Sequence, residues 1–290
     1  MRLLKKYISG LIKLIFIILS VAVVFLIFSI PIGKDVKKVK KTLLIEHLSP
    51  ESASEIESVK NGIVKPIIYQ NIDKILSSDT KNQKEIFIDL LLPVILISKH
   101  RIEIERNKTE ILWGKLKMKD PITKEDSMFI DLLIEKYDSR NFTEIHQMQY
   151  THPNSIVIAQ SILETGWGSS RFFLHGNNAF GIWSFNKSDN RMIASSNRDG
   201  VIIYLKKYND LLESVNDYFL TISKSWAFAE FREKRIVSDN PYELIWYLNK
   251  YSELRNDYVK KVGEIIIQND LARYDTAQLD PNYFINVKLD

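Results

Sequence analysis

The 290-residue chain contains no cysteine. That excludes disulfides, zinc–thiolate sites, iron–sulfur ligation, a cysteine nucleophile and a lipid-modified cysteine anchor. It assigns no compartment, because an exported domain of this size folds without disulfides. Glycine and proline are scarce, at 10 and 8 residues, and no repeat or low-complexity tract stands out. Collagen-like architecture and wholesale disorder are therefore excluded. The five histidines (His47, His100, His146, His152, His175) show no metal-ligand spacing. No His-Glu-x-x-His pair, Walker loop, dinucleotide fingerprint or nucleophile elbow occurs either, so neither a metal nor a cofactor is expected.

Apolar residues make up 45% and charged residues 26% of the chain, ordinary values for a domain with a real core. The net charge of +4 is unevenly distributed. Residues 1–41 hold nine basic side chains and one acidic one, Asp35; the remaining 249 residues hold 31 basic and 35 acidic, a net charge of −4. The basic character thus belongs to the N-terminal segment, and no nucleic-acid partner is expected of the folded part.

The one long hydrophobic run is Leu14–Ile32, nineteen residues without a charge. As a helix it would rise roughly 28 Å, about the hydrocarbon thickness of a bilayer. The run lacks the polar stripe of a buried core helix. It also lacks the small-x-small cleavage site of a signal peptide, the competing reading, since Phe28-Ser29-Ile30-Pro31 follows instead. An uncleaved, single-pass anchor is expected over residues 14–32, within an N-terminal segment 1–33. Lysines flank the run on both sides, so the positive-inside rule does not orient it.

Residues 34–82, with breakers at Pro50 and Pro66, read as a stalk or helical linker. A long helical pattern runs from Glu85 to about Leu116, broken or kinked near Pro93. Its apolar part, Ile86–Ile97, contains Asp89 and is too short to span a bilayer, so it is expected in a core. Thr123-Lys124-Glu125-Asp126 has the form of a capping box. Further helices are predicted over Ser155–Glu164, Asp210–Ile222, Ala227–Lys234, Pro241–Asn249 and Asn256–Asn269, with Trp226 and Trp246 in the core. Met192-Ile193 and Val201–Tyr204, either side of a Ser195–Gly200 turn, predict a small hairpin. The tail after Arg273 carries a turn signal at Asp280-Pro281-Asn282 and little else. The expected fold is mainly α, with one β excursion.

Four of the ten glycines fall within sixteen residues, at Gly166, Gly168, Gly176 and Gly181, and two of the five tryptophans, Trp167 and Trp183, share that window. Glycine lets a backbone approach a ligand closely, and a tryptophan face stacks on flat apolar partners such as sugar rings. The amides of Asn177 and Asn178 offer donors and acceptors to hydroxyl and acetamido groups, or alternatively end a turn in left-handed geometry. Phe180 and Trp183, with Phe185, are candidates to line a groove, although core aromatics would look the same. Glu164 ends an apolar helix just before the Gly166 breaker. The negative end of the helix dipole and a neighbouring Trp167 ring both raise a carboxyl pKa, as a general acid near neutrality requires.

Glu164-Thr165-Gly166-Trp167-Gly168 followed by Asn177-Asn178-Ala179-Phe180-Gly181-Ile182 resembles the signature of the bacterial glucosaminidase family, glycoside hydrolase family 73. The family pattern is Glu-Ser-Gly-Trp-Gly and Asn-Leu-Phe-Gly-Ile, so the chain departs at Thr165 and Ala179. Phe87 through Arg106, the Gly181-Ile182-Trp183 ending, and Tyr251-Ser252-Glu253 before Tyr258-Val259 are similar to the Bax-type branch. The resemblance spans roughly residues 83–270. It implies a lysozyme-like helical catalytic domain with a small β-hairpin lobe over 83–273, followed by a tail at 274–290. It also implies an endo-β-N-acetylglucosaminidase acting on peptidoglycan glycan strands. Glu164 matches the family's catalytic acid and Tyr251 an active-site tyrosine, with Trp167, Asn177, Asn178, Phe180 and Trp183 as substrate-binding candidates. For a second carboxylate, Asp189 and Asp199 lie in the hairpin region; alternatively the substrate's own acetamido group attacks.

A wall substrate would place the domain outside the inner membrane, anchored by residues 14–32. A lytic transglycosylase on the same fold and a non-catalytic wall-binding scaffold are the alternatives; the usual transglycosylase Gly-Leu-Met-Gln segment is missing, and intact Glu164, Gly166 and Trp167 speak against the scaffold. A protein activator is a further possible partner.

Overall fold

The computed structural model describes residues 39–78, 82–194 and 202–288. The anchor expected at 14–32 lies outside the described residues, as do Asp199 and the Ser195–Gly200 turn. Among the described residues no helix is long and apolar enough to cross a membrane. The chain divides into a larger unit, Leu43–Ile285, and a smaller one, Met1–Thr42 with Asn286–Asp290. The smaller unit is described only where strands β1 (Val39–Leu43) and β8 (Phe284–Lys288) pair.

The larger unit is mainly helical, as expected of a lysozyme-like domain. Three short strands open it: β2 (Glu46–Leu48), β3 (Ile63–Val64) and β4 (Ile67–Tyr69), followed by α1 (Ile72–Ser78). β2 pairs in parallel with β4, and β3 in parallel with β7 (Gln278–Leu279). Residues 43–78 are therefore no stalk. Ile67, Ile68, Tyr69, Ile72 and Ile75 are buried in the main core, and the segment expected as an uninformative tail closes onto β3. Two- and three-residue strands are too short to show a period of two, and their partners lie far off in sequence.

Helix α2 (Gln83–Met118) forms the centre. Every residue from Ile86 to Ser98 is buried, so this stretch is enclosed on all sides, and the helix runs unbroken through Pro93. Asp89 is the one acid inside it, accepting from the Val59 backbone N–H at 2.9 Å, and desolvation pushes its pKa up to about 6. The Thr123 capping box forms as expected and opens α3 (Lys124–Tyr137). Short α4 (Phe142–Met148) leads to α5 (Asn154–Thr165) and α6 (Arg171–Gly176). The hairpin lobe consists of antiparallel β5 (Arg191–Ile193), which contains the expected Met192-Ile193, and β6 (Tyr204–Lys206), which begins where the expected Val201–Tyr204 strand ends. Helices α7 (Leu211–Lys224), α8 (Ala229–Val237), α9 (Pro241–Leu244) and α10 (Asn256–Gln268) complete the unit.

Two expected core residues are corrected. Trp226 is 80% and Trp246 50% exposed. Both sit in 3-10 turns, Trp226–Phe228 and Ile245–Leu248, whose three-residue period sends Phe228 and the Ile245/Leu248 pair inward and leaves the tryptophans outside.

Candidate active site

Helix α5 is buried from Asn154 to Ile162, and Glu164 is where it emerges. The helix stops because Gly166 takes a left-handed φ of +58°, its N–H returning to the Ile162 carbonyl at 2.8 Å. Thr165 locks the turn: its hydroxyl donates to the Ser161 carbonyl at 2.6 Å and accepts from the Gly168 N–H at 3.0 Å. The Glu164 backbone is thus held between a buried helix and a closed turn while its carboxyl faces out.

It faces a groove of about 640 Å³ between the helical body and the hairpin lobe. Phe180, Thr221, Phe228, Tyr251 and Ser252 line the body side; Trp183, Phe185, Asn186, Asp189 and Lys206 line the lobe side. Desolvation raises the Glu164 pKa to about 7, opposed by the hydroxyl of Tyr258. The surface of Glu164 is open through the groove mouth while protein packs closely around it. The direction of the shift follows from that packing, and the open mouth limits its size. A carboxyl half-protonated near pH 7 can give a proton to a leaving-group oxygen.

Of the residues singled out from sequence, Glu164, Phe180, Trp183, Phe185, Asp189 and Tyr251 come together here. Tyr251 donates to the Phe180 carbonyl at 3.3 Å and stacks on Tyr258, and burial drives its pKa well above the ordinary tyrosine value. Phe180 stacks on Tyr218 with ring centres 4.1 Å apart. The Asp189 carboxylate accepts from the Ser184 hydroxyl at 2.8 Å.

Three candidates lie elsewhere. Trp167 does not line the groove: its ring meets Phe87 edge-on at 5.8 Å, with the Lys84 ammonium 4.7 Å above it. It braces the turn after Glu164 against α2. Asn177 caps α6 in left-handed geometry and donates to the carbonyls of Tyr208 and Asn209. Asn178 is 1% exposed; its amide nitrogen donates to the Ile182 and Lys206 carbonyls and its oxygen accepts from the Ile182 N–H. Both asparagines take the turn-building role, because their hydrogen-bonding capacity is used by backbone.

Residues 141–271 match the glucosaminidase family, described as mannosyl-glycoprotein endo-β-N-acetylglucosaminidase. The chain carries a glucosaminidase-family domain. It is a glycoside hydrolase. No curated protein matches the chain. Among solved structures, it is similar to the catalytic domain of the autolysin Auto from Listeria monocytogenes, with 22% identity and a TM-score of 0.38 over 54% of this chain and 100% of that one. It is also similar to a C-terminally truncated glycoside hydrolase domain of FlgJ from Salmonella typhimurium, with 16% identity and a TM-score of 0.34 over 49% and 97% of the respective chains.

Several groove residues of the glucosaminidase domain escaped the sequence reading. Thr221, Phe228 and Ser252 line the groove from helix ends and turns with no motif of their own, and Lys206 pairs with Asp217 at 2.7 Å. Tyr258 stands in the motif that carries the resemblance, yet only the fold turns it toward Glu164. A second cavity, about 530 Å³, is lined by Glu105, Glu213 and Asp217, but all three carboxylates are already engaged, Glu213 by the backbone and side-chain N–H groups of Asn209. Glu105 accepts from Lys136, Tyr137 and Gln149, and Asp217 from Lys206 and Tyr208. None of the three is free to act as Glu164 is.

Proposed function

We propose that this protein is a peptidoglycan hydrolase, an endo-β-N-acetylglucosaminidase in which Glu164 is the general acid. The observation that carries this reading is the emergence of Glu164 from a buried helix into an open, aromatic-walled groove that keeps its carboxyl protonated up to about pH 7. A glycan strand lies in the groove with sugar faces against Trp183 and Phe185, which are 42% and 85% exposed. Glu164 protonates the glycosidic oxygen on the reducing side of N-acetylglucosamine as the bond breaks. Asp189, the other carboxylate lining the groove among the described residues, activates the attacking water. Its hydrogen bond from Ser184 occupies one oxygen and leaves the other for that water. Residues 14–32 hold the protein in the inner membrane as a single-pass anchor, with the glucosaminidase domain on the periplasmic, wall-facing side.

The test is mass spectrometry of purified peptidoglycan digested with the detergent-solubilised full chain, beside Glu164→Gln. New reducing N-acetylglucosamine ends, absent with the variant, are expected. Anhydro-muramic ends would instead make the protein a lytic transglycosylase, and binding without products would favour a wall-binding scaffold. Asp189→Asn is expected to abolish turnover. Full activity in that variant, with a retained anomeric configuration in the first product, would assign the attack to the substrate's acetamido group.

A further inference from the structure

Behind Glu164 a line of polar side chains crosses the core. His152 Nε2 lies 2.8 Å from the Tyr218 hydroxyl, which lies 2.6 Å from Gln160 Oε1; Gln160 Nε2 lies 3.0 Å from the Tyr258 hydroxyl, which faces the Glu164 carboxyl. Four of these residues come from three helices, and His152 stands one residue before Pro153, the N-cap of the first. Gln160 and Glu164 share a face of α5, four residues apart. Tyr218 comes from α7 and Tyr258 from α10, and His152, Gln160, Tyr218 and Tyr258 are all buried.

The direction of the protons follows from one orphan atom. His152 Nδ1 is buried and has no partner. A buried N–H without an acceptor is costlier and rarer than an unused lone pair. The imidazole is neutral, because burial and the nearby Arg235 and Lys99 cations push its pKa well below the ordinary value. Its single proton therefore sits on Nε2 and is donated to Tyr218. Tyr218, already accepting there, donates to Gln160 Oε1. The Gln160 amide is thereby oriented with its nitrogen toward Tyr258 and fills that hydroxyl's acceptor side. The Tyr258 proton is left to point at Glu164.

We propose that His152, Tyr218, Gln160 and Tyr258 form a one-way donor relay that presents the Tyr258 hydroxyl proton to the carboxylate Glu164 becomes after giving up its own. These are positioning residues. The inference rests on the reading of Glu164 as the acid. The Tyr258 hydroxyl favours the ionised form of Glu164, and a hydrogen bond to a carboxylate is stronger than one to a neutral carboxyl, so the contact strengthens when the carboxylate forms. The relay keeps the carboxylate from becoming too basic in an apolar site, so that the acid is neither locked in its protonated form nor slow to release its proton. The other groups facing Glu164 are Tyr251, committed to the Phe180 carbonyl, and across the groove Asp189 and the Lys206–Asp217 pair.

The test is a direct titration of the Glu164 carboxyl by carbon-13 NMR in the full-length protein, with a pH–activity profile beside it. Tyr258→Phe removes only the hydroxyl and is expected to raise the Glu164 midpoint by about half a unit to one unit, moving the alkaline limb of activity with it. Tyr218→Phe, two links away, is expected to move both in the same direction by less, and it serves as the test if Tyr258→Phe does not fold. A bracing role alone would lower the melting temperature and the rate at every pH without moving the midpoint, and that result would overturn the relay. The two readings separate cleanly. If Glu164→Gln stays active while Tyr258→Phe still moves the midpoint, the relay stands and the acid assignment falls. If Glu164→Gln is inactive and the midpoint is unmoved, the relay falls alone.

Discussion

Gly181 lies directly against the Glu164 carboxyl: a methyl group added at position 181 would stand 3.4 Å from Glu164 Oε2. That distance is ordinary contact, so space alone does not demand glycine. The backbone does, because Gly181 holds a φ of +62°, where a Cβ crowds the following carbonyl. Gly181→Ala is expected to cost about 1–2 kcal/mol of stability. Relief of that strain would shift the loop that carries Phe180 and Trp183, so a several-fold loss of activity should accompany the stability loss seen by denaturant titration.

The raised Glu164 pKa couples activity and stability to pH with a defined sign. The folded value is about 7, against an ordinary value of 4.5, so between them the folded state keeps a proton that the unfolded state has lost. The stabilising contribution is full below the unfolded value and is lost as pH rises through about 7. Activity requiring the protonated acid should fall over the same upper range. Asp89 is also raised, to about 6, so wild type alone does not isolate the effect. Denaturant titrations from pH 5 to 8 should show Glu164→Gln losing less stability with rising pH than wild type. The difference should be smaller than the full shift implies, because Glu164 is open to the groove.

Asn178 is expected to matter for activity without touching substrate. Its side chain ties the 178–182 loop to β6 through the Ile182 and Lys206 carbonyls. Asn178→Ala leaves buried backbone groups unpaired at about 1–3 kcal/mol, and Asn178→Asp, which turns a carboxylate toward two carbonyls, should be worse. Thermal melts of both variants, with the order wild type, Ala, Asp, check this.

Trp167 and Trp183 should separate in a single experiment. Trp167 packs on Phe87 away from the groove, so Trp167→Ala is expected to lower stability by about 1–3 kcal/mol while leaving KM near the wild-type value. Trp183 lines the groove and is 42% exposed, so Trp183→Ala should raise KM several-fold with little change in melting temperature. Equal KM values for the two variants would remove Trp183 from the substrate surface.

The helices and the acid were legible in the chain because their signals are local. The capping box at Thr123, the Gly166 stop after an apolar run and the burial of Ile86–Ile97 each depend on residues within one or two turns of one another. The roles of Trp167, Asn177 and Asn178 were not legible, since the same side chain serves a sugar or a backbone carbonyl equally well until the neighbours are known. Nor was the inclusion of residues 43–78 in the core, whose strand β3 finds its partner more than two hundred residues away. The chain by itself determined a helix ending in a carboxylic acid. Only the tertiary structure decided what surrounds that acid, because desolvation by Phe180, Phe228 and Tyr251 and the proton direction of a relay drawn from three helices are properties of packing, not of spacing.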